Sequence, residues 1–320
     1  MMRFLNSSLL LLIVLLVAGC GKEEESQKSK DRKRVEEIIS NLSRYQPTDL
    51  DVKDHSAKTE LKILVMGDFG LGTIGQQEVS QAMSDTCGAR GGCDFLISVG
   101  DNIYSHGVSS TRDPLFQTRF EDVYQQFGRF DFWMIMGNHD WLGNVQAAIS
   151  YSALSERWRQ PHLHYEIPYL PSWVRIYGVD IEDIVHHARH VEETMCGYGG
   201  WKIVFDHHAI YSHGYHGANP RIVNGLKPKL LKCDVDVLLS GHDHVLELLR
   251  VDSKLLQVVS GAAGEARELA TTKNPIGVET VFSQGAKLGF TLLTLTENSF
   301  EIEYLDKNGS TLFSHTLSKR

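Results

Sequence analysis

Five short stretches of this chain end in side chains that ligate metals. In order they are Gly67-Asp68-Phe69-Gly70, Gly100-Asp101-Asn102-Ile103-Tyr104, Gly137-Asn138-His139-Asp140, Asp206-His207-His208 and Gly241-His242-Asp243-His244. Carboxylate, amide and phenol oxygens together with imidazoles make a mixed hard and borderline ligand set. The set holds more donors than one tetrahedral zinc uses, and two metals sharing a carboxylate fit it better. Any one cluster alone reads as an ordinary turn. His242 and His244 alone read as two residues on one face of a strand. Five such endings in succession form a pattern that separate turns do not explain. No Ser or Cys triad motif accompanies them.

Each cluster follows an apolar run too short for a helix: Leu61–Met66, Phe95–Val99, Phe132–Met136, Trp201–Phe205 and Val235–Ser240. These runs predict strands. The glycines after them let the backbone turn sharply, so that the next side chain projects beyond the strand. Helix-like stretches, Gly75–Asp85 and Pro114–Phe127, lie between the first strands. Alternating strand and helix predicts a largely parallel sheet, and ligands gather beyond the carboxyl ends of such strands. The expectation is that one sheet edge presents all five clusters to a common space.

The clusters resemble the metallophosphoesterase signature and, more narrowly, the purple acid phosphatases of the small single-domain type found in mammals. Gly100–Tyr104 is similar to the family's Gly-Asp-Asn-Phe-Tyr segment. Phe116–Tyr124, Gly137–Val145, Tyr151–Trp158, Gly241–His244 and the tail Gly289–Leu317 are also alike. The likeness covers nearly all of residues 60–320. It implies an α/β fold, a four-layer αββα sandwich of two mixed β-sheets flanked by helices. It also implies a dinuclear acid phosphatase that hydrolyses phosphate monoesters by attack of a metal-bound hydroxide. By that resemblance Asp68, Asp101, Tyr104 and His244 hold Fe(III). Asp101, Asn138, His207 and His242 hold a divalent ion (Fe, Zn or Mn), and Asp101 bridges the two. His139 and His216 match the histidines that touch phosphate, His139 orienting the phosphoryl group and His216 protonating the leaving oxygen. A phenol of pKa about 10 must lose its proton to ligate, which suits Fe(III) at Tyr104. Two other readings are a phosphodiesterase or nucleotidase on the same scaffold and a surface-anchored binding protein without turnover.

The chain departs from the family in three places. His207-His208-Ala209 stands where a His-x-Pro is usual, with His207 aligned to the ligand and His208 as the alternative. Phe69 replaces a tryptophan. The passage Tyr177–Gly200 carries His186-His187-Ala188-Arg189-His190. His186 and His190 are one helical turn apart, which fits a solvated face or an extra metal site. His106 reads as a pocket-lining residue or a plain loop histidine.

The 320 residues are 42% hydrophobic and 22% charged, an ordinary globular composition that excludes collagen-like, coiled-coil and wholly disordered classes. Lys plus Arg is 32 against 40 Asp plus Glu, a net charge of −8 that argues against a nucleic-acid partner. The fifteen histidines are the unusual count. The only long apolar run is Leu9–Val17, preceded by Arg3. It has the length of an export signal and falls short of the roughly 20 residues a bilayer span needs. Leu16-Val17-Ala18-Gly19-Cys20 resembles a bacterial lipobox. The organisation expected is a lipoprotein signal peptide at 1–19, a polar tether at 20–59 with a short helix near Val35–Leu42, and a catalytic domain at 60–320. Membrane contact would come only through a lipid on Cys20, placing the protein outside the cytoplasm, on the outer membrane or periplasmic face. Cys87, Cys93, Cys196 and Cys233 then allow three pairings, of which the tight loop Cys87–Cys93 closes most easily. No CxxC spacing points to structural zinc. The natural ester and the oligomeric state have no readable code.

Overall fold

The computed structural model describes residues 49–180, 184–271 and 273–319, without the side chains of 184–188. The signal peptide, Cys20, the helix expected near Val35–Leu42 and most of the tether lie outside the described residues. The chain lays down β1 (Glu60–Met66), α1 (Ile74–Ala89), β2 (Phe95–Ser98), β3 (Phe132–Met134), α2 (Val145–Tyr151) and β4 (Trp158–Arg159). It continues with β5 (Tyr165–Glu166), β6 (Val174–Gly178), α3 (Ile184–Met195), β7 (Trp201–Phe205), α4 (Lys227–Lys232) and β8 (Val237–Ser240). The last strands are β9 (Leu246–Val251), β10 (Leu255–Ser260), β11 (Val278–Gln284), β12 (Gly289–Thr296), β13 (Ser299–Asp306) and β14 (Thr311–Ser318).

These strands make two mixed seven-stranded sheets. The first runs β14-β13-β12-β1-β2-β3-β4 and the second β11-β9-β10-β8-β7-β6-β5. In the first, β1 to β4 are parallel, while β12 pairs antiparallel with β1 and with β13. In the second, β6, β7, β8 and β10 are parallel, with antiparallel strands at both edges.

Alternation along the strands explains the layering. Ile63 and Val65, with Ile97 and Trp133, share one core with Ile203, Phe205, Val237 and Leu239 of the second sheet. Val204 and Leu238, one residue out of phase, belong to a separate core with Val191 and Met195 of α3 and Leu230 of α4. Strands buried on both faces read as unbroken apolar runs, as these do. The helix-flanked two-sheet sandwich is the fold the resemblance implied. Cys87 pairs with Cys93 as expected, and Cys196 pairs with Cys233, tying the end of α3 to the end of α4.

Three sequence expectations need correction. The five cluster-bearing strands do not share one sheet edge: β1, β2 and β3 lie in the first sheet, β7 and β8 in the second. Alternating β and α signals carry no information about where one sheet ends and the next begins. Pro114–Phe127 is not one helix but a turn of helix at Pro114–Phe116, a π-helical turn at Gln117–Glu121 and a 3-10 turn at Gln125–Phe127. Aromatic packing governs this stretch: Phe116 stacks on Tyr151 at 3.6 Å, and Phe120 meets Trp158 and Phe132 edge-on at 5.2 and 5.3 Å. Residues 49–59, expected in the tether, lie against the domain. Leu50 and His55 are buried, and the Lys53 amide donates to Asp131 at 2.9 Å.

Candidate metal centre

The ends of β1, β2, β3, β7 and β8 open onto one space, and the backbone there is bent to aim side chains into it. Asp68, Asp101 and His242 take left-handed φ of 57°, 52° and 68°. For non-glycine residues this conformation is uncommon, costs on the order of 1–3 kcal/mol, and clusters at functional sites. Two glycines make room. A Cβ on Gly137 would sit 2.1 Å from Asp101 Oδ1, and one on Gly241 would sit 2.5 Å from Asp68 Oδ2.

The side chains converge closely. The Tyr104 hydroxyl lies 2.9 Å from Asp101 Oδ2, 3.2 Å from Asp68 Oδ1 and 3.3 Å from His244 Nε2. His207 Nε2 lies 3.5 Å from Asp101 Oδ2, 3.1 Å from Asn138 Oδ1 and 3.2 Å from His242 Nδ1. One donor atom each from Asp68, Asp101 and His207 fall within 4.8 Å of one another. The His139 amide donates to Asp101 Oδ1 at 2.9 Å, and its Nε2 is 4.0 Å from Asp101 Oδ2. The His216 ring lies over the His242 ring, centroids 4.0 Å apart. All nine residues singled out from the sequence therefore stand around one space.

Its electrostatics are unfavourable without a cation. Burial, and then the neighbouring Asp101 charge, push Asp68 well above the carboxylate range. Burial with Asp68 and Asp101 raises Tyr104. On the other side, burial and then His207 hold His242 far below the ordinary imidazole value, and burial and then Arg267 lower His244 to about 4. The donor set tests for a metal directly. His207 Nδ1 donates to the Val99 carbonyl at 2.8 Å, and a carbonyl only accepts. The other ring nitrogen, Nε2, faces Asn138 Oδ1 and His242 Nδ1. Converging lone pairs with few protons between them, beside two carboxylates, fit metal ions well.

Several positioning residues escaped the sequence reading. Asp140 is buried and accepts the amides of Asn102, Ile103 and Gly137, bracing the second and third clusters. Burial and then Asp101 push it up to about 7. Glu265 Oε2 stands 3.0 Å from His244 Nδ1, opposite the face His244 turns to the cluster. Three buried side chains hold the turn bearing His216. Gln257 Oε1 accepts the Ile210 amide at 2.8 Å, Glu247 Oε2 the His213 amide at 3.1 Å, and Asp243 Oδ1 the His216 amide at 2.8 Å. Asp140 and Asp243 were visible inside their motifs. Glu247 and Gln257 had a signal too, being polar residues flanked on both sides by apolar ones within their strands.

Of the two neighbouring histidines, His207 reaches Asn138 and Asp101. His208 turns its ring onto His242, centroids 4.2 Å apart. Burial, and then His207, lower His208 well below the ordinary value. His106 is exposed, its Nδ1 2.7 Å from Ser105 Oγ. His190 stacks on His164 at 4.5 Å and meets Glu193 Oε2 at 3.0 Å. The His186 side chain lies outside the described residues.

The profile of the calcineurin-like phosphoesterase family matches residues 61–246. Tartrate-resistant acid phosphatase type 5 of Oryctolagus cuniculus is 31% identical over 266 residues, covering 72% of this chain and 80% of the relative. Among solved structures, the anchor GAP50 of the Plasmodium inner membrane complex superposes with a TM-score of 0.71 at 21% identity. That match covers 82% of this chain and 90% of the other. A purple acid phosphatase from yellow lupin seeds superposes with a TM-score of 0.67 at 15% identity, covering 83% and 55% respectively. These two structural likenesses speak for the fold alone.

Proposed function

The chain belongs to the calcineurin-like phosphoesterase family and is a phosphoric monoester hydrolase of the acid phosphatase kind, and we propose that it acts through two metal ions. Asp68, Asp101, Tyr104 and His244 would hold Fe(III). Asp101, Asn138, His207 and His242 would hold divalent Fe, Zn or Mn. The observation that carries this reading is the convergence on one space of His207 Nε2, Asn138 Oδ1, His242 Nδ1 and the Asp101 carboxylate.

When bound, the two ions supply positive charge for phosphate oxygens and acidify a water that serves as nucleophile. The chain's own residues do the rest. The His139 amide fixes Asp101, and His139 Nδ1 donates to the Ser105 carbonyl at 2.7 Å. That contact turns Nε2 towards the cluster, where it binds and orients the phosphoryl group. His216 donates a proton to the departing oxygen, which would otherwise leave as a basic alkoxide. Asp243 holds the His216 backbone, so the donor is placed before substrate arrives.

Two disulfides support export to an oxidising compartment, with the anchor at Cys20 holding the enzyme on the membrane. Cys20→Ser should abolish membrane partition and leave the domain folded; unchanged partition would sink the anchor. The test of function is metal analysis and a visible spectrum of the purified protein, with turnover of p-nitrophenyl phosphate against bis(p-nitrophenyl) phosphate. Two metals per chain and preference for the monoester are expected. Preference for the diester would favour the phosphodiesterase reading, and no turnover of either the binding-protein reading.

A further inference from the structure

We propose that His162, His164 and His190 form a further cation site, apart from the candidate metal centre, that takes a divalent ion of the zinc kind. The site goes beyond the phosphatase reading and stands whether or not that reading holds.

The sequence drew attention to His190 through its spacing from His186, and the fold brings it different partners. His162 and His164 lie in the segment between β4 and β5, and His190 lies in α3. The His164 and His190 rings stack with centroids 4.5 Å apart at 9°, and the His162 ring meets the His164 ring edge-on at 4.9 Å. Three imidazoles from two separate elements thus come together, and none of them belongs to the five clusters. A solvated helix face accounts for His190 alone. It does not account for the two rings that another segment brings beside it, one of which, His162, is buried.

The two stacked rings are oriented as ligating histidines are. A histidine that binds a metal through one nitrogen gives the other to an oxygen partner, which fixes the ring and its tautomer. His190 Nδ1 lies 3.0 Å from Glu193 Oε2. Arg189 Nε donates to Glu193 Oε1 at 2.8 Å and holds that carboxylate in place. His164 Nδ1 lies 2.8 Å from the Tyr177 hydroxyl, and burial raises Tyr177, which keeps that partner a neutral hydroxyl. Nε2 is then the nitrogen each ring offers to a cation. Imidazole nitrogen suits zinc, and three histidines with one open position are a recurrent zinc coordination.

A cation at this place joins α3 to the segment before β5. The far end of α3 is already tied, by Cys196 to Cys233 and by Glu192 to Lys229 and Lys232. With no carboxylate among its ligands, the site fills only when zinc is supplied, which separates it from the two metals expected of the purified protein.

The experiment dialyses the full chain against free Zn²⁺ at neutral pH, where imidazole is largely unprotonated, and measures bound zinc and the melting temperature. The wild type should hold one zinc more than His164→Ala or His190→Ala, and zinc should raise the melting temperature of the wild type but not of His190→Ala. Glu193→Gln keeps the three ligands and should weaken the added zinc by about 10- to 100-fold, as loss of an orienting partner does. A merely structural role for Glu193 would leave zinc affinity unmoved. Asp101→Asn, which disturbs the candidate centre, should keep the added zinc. Equal zinc in the wild type and both histidine variants would overturn the proposal, and so would loss of the added zinc in Asp101→Asn, because that zinc would then belong to the centre.

Discussion

The two halves of the candidate centre come from different sheets and are built in opposite ways. Asp68, Asp101, Tyr104 and Asn138 follow β1, β2 and β3 of the first sheet; His207, His242, His244 and His216 belong to loops of the second. The first half supplies mostly oxygen; Asp68 and Asp101 take left-handed turns directly after short strands, as His242 does in the second half, and Asp140 braces Gly137 three residues away and Asn102 across 38. The second half supplies nitrogen and is held from afar. Val99 of the other sheet fixes His207, and Gln257 and Glu247 fix the turn carrying His216. Their charges are frustrated in opposite senses. Burial with like charge raises Asp68, and burial with neighbouring imidazoles lowers His242. Asp68 and His242 each disfavour their own charged form, and cations between them would relieve both. The comparison teaches that an acidic half can be encoded by short motifs, while an imidazole half needs a folded scaffold to orient each ring.

The sharpest way to break this picture is at the residue common to both proposed sites. Asp101→Asn should reduce metal content towards zero and activity by at least about a thousandfold, given the charge that metal catalysis must neutralise. In the metal-free protein the same change should raise the melting temperature, by about 2–4 °C for each kcal/mol of relieved repulsion at Asp68. Elemental analysis and thermal melts check both signs, and a lower metal-free melting temperature would refute the frustration argument.

Within the nitrogen half, His207→Ala should lower divalent-metal content and turnover far more than His208→Ala, since only His207 meets Asn138 and Asp101. The reverse ranking would exchange their roles. His216→Ala should keep both metals and slow alkyl esters by about 10²–10⁴-fold, with a smaller loss for p-nitrophenyl phosphate. Equal losses across leaving groups would argue against proton donation.

Tyr104→Phe probes the oxygen half more gently, because it removes only a hydroxyl. An iron-loaded, oxidised sample should lose its visible band while retaining part of its iron through Asp68, Asp101 and His244. An identical spectrum in wild type and variant would contradict a ferric phenolate. The smallest effect is expected at the scaffold. Glu247→Gln should cost about 1–3 kcal/mol of stability by disturbing a buried carboxylate that receives Ser212, His213 and Ser283. Metal content should stay unchanged. Metal loss in this variant would mean that the turn carrying His216 also positions the metal-holding histidines of its half.

What the sequence determined by itself lies in short-range pattern. Strands β1, β2, β3, β7 and β8 were readable from apolar runs, and their ligating ends from Gly-Asp, Gly-Asn-His and Gly-His-Asp-His. A strand followed by a sharp turn is a local event, decided by the few residues that make it. The Cys87–Cys93 loop was legible for the same reason. Only the tertiary structure decided that these ends come from two sheets facing each other. It also decided that Pro114–Phe127 breaks around the rings of Tyr151, Trp158 and Phe132. Which backbone amides Glu247 and Gln257 would accept was likewise hidden. Each of these depends on partners tens of residues away, as with Val99 and His207 or His213 and Glu247. No local spacing encodes which buried donor will meet which acceptor; that is fixed when the two sheets close on one core and leave each buried polar group the partners within its reach.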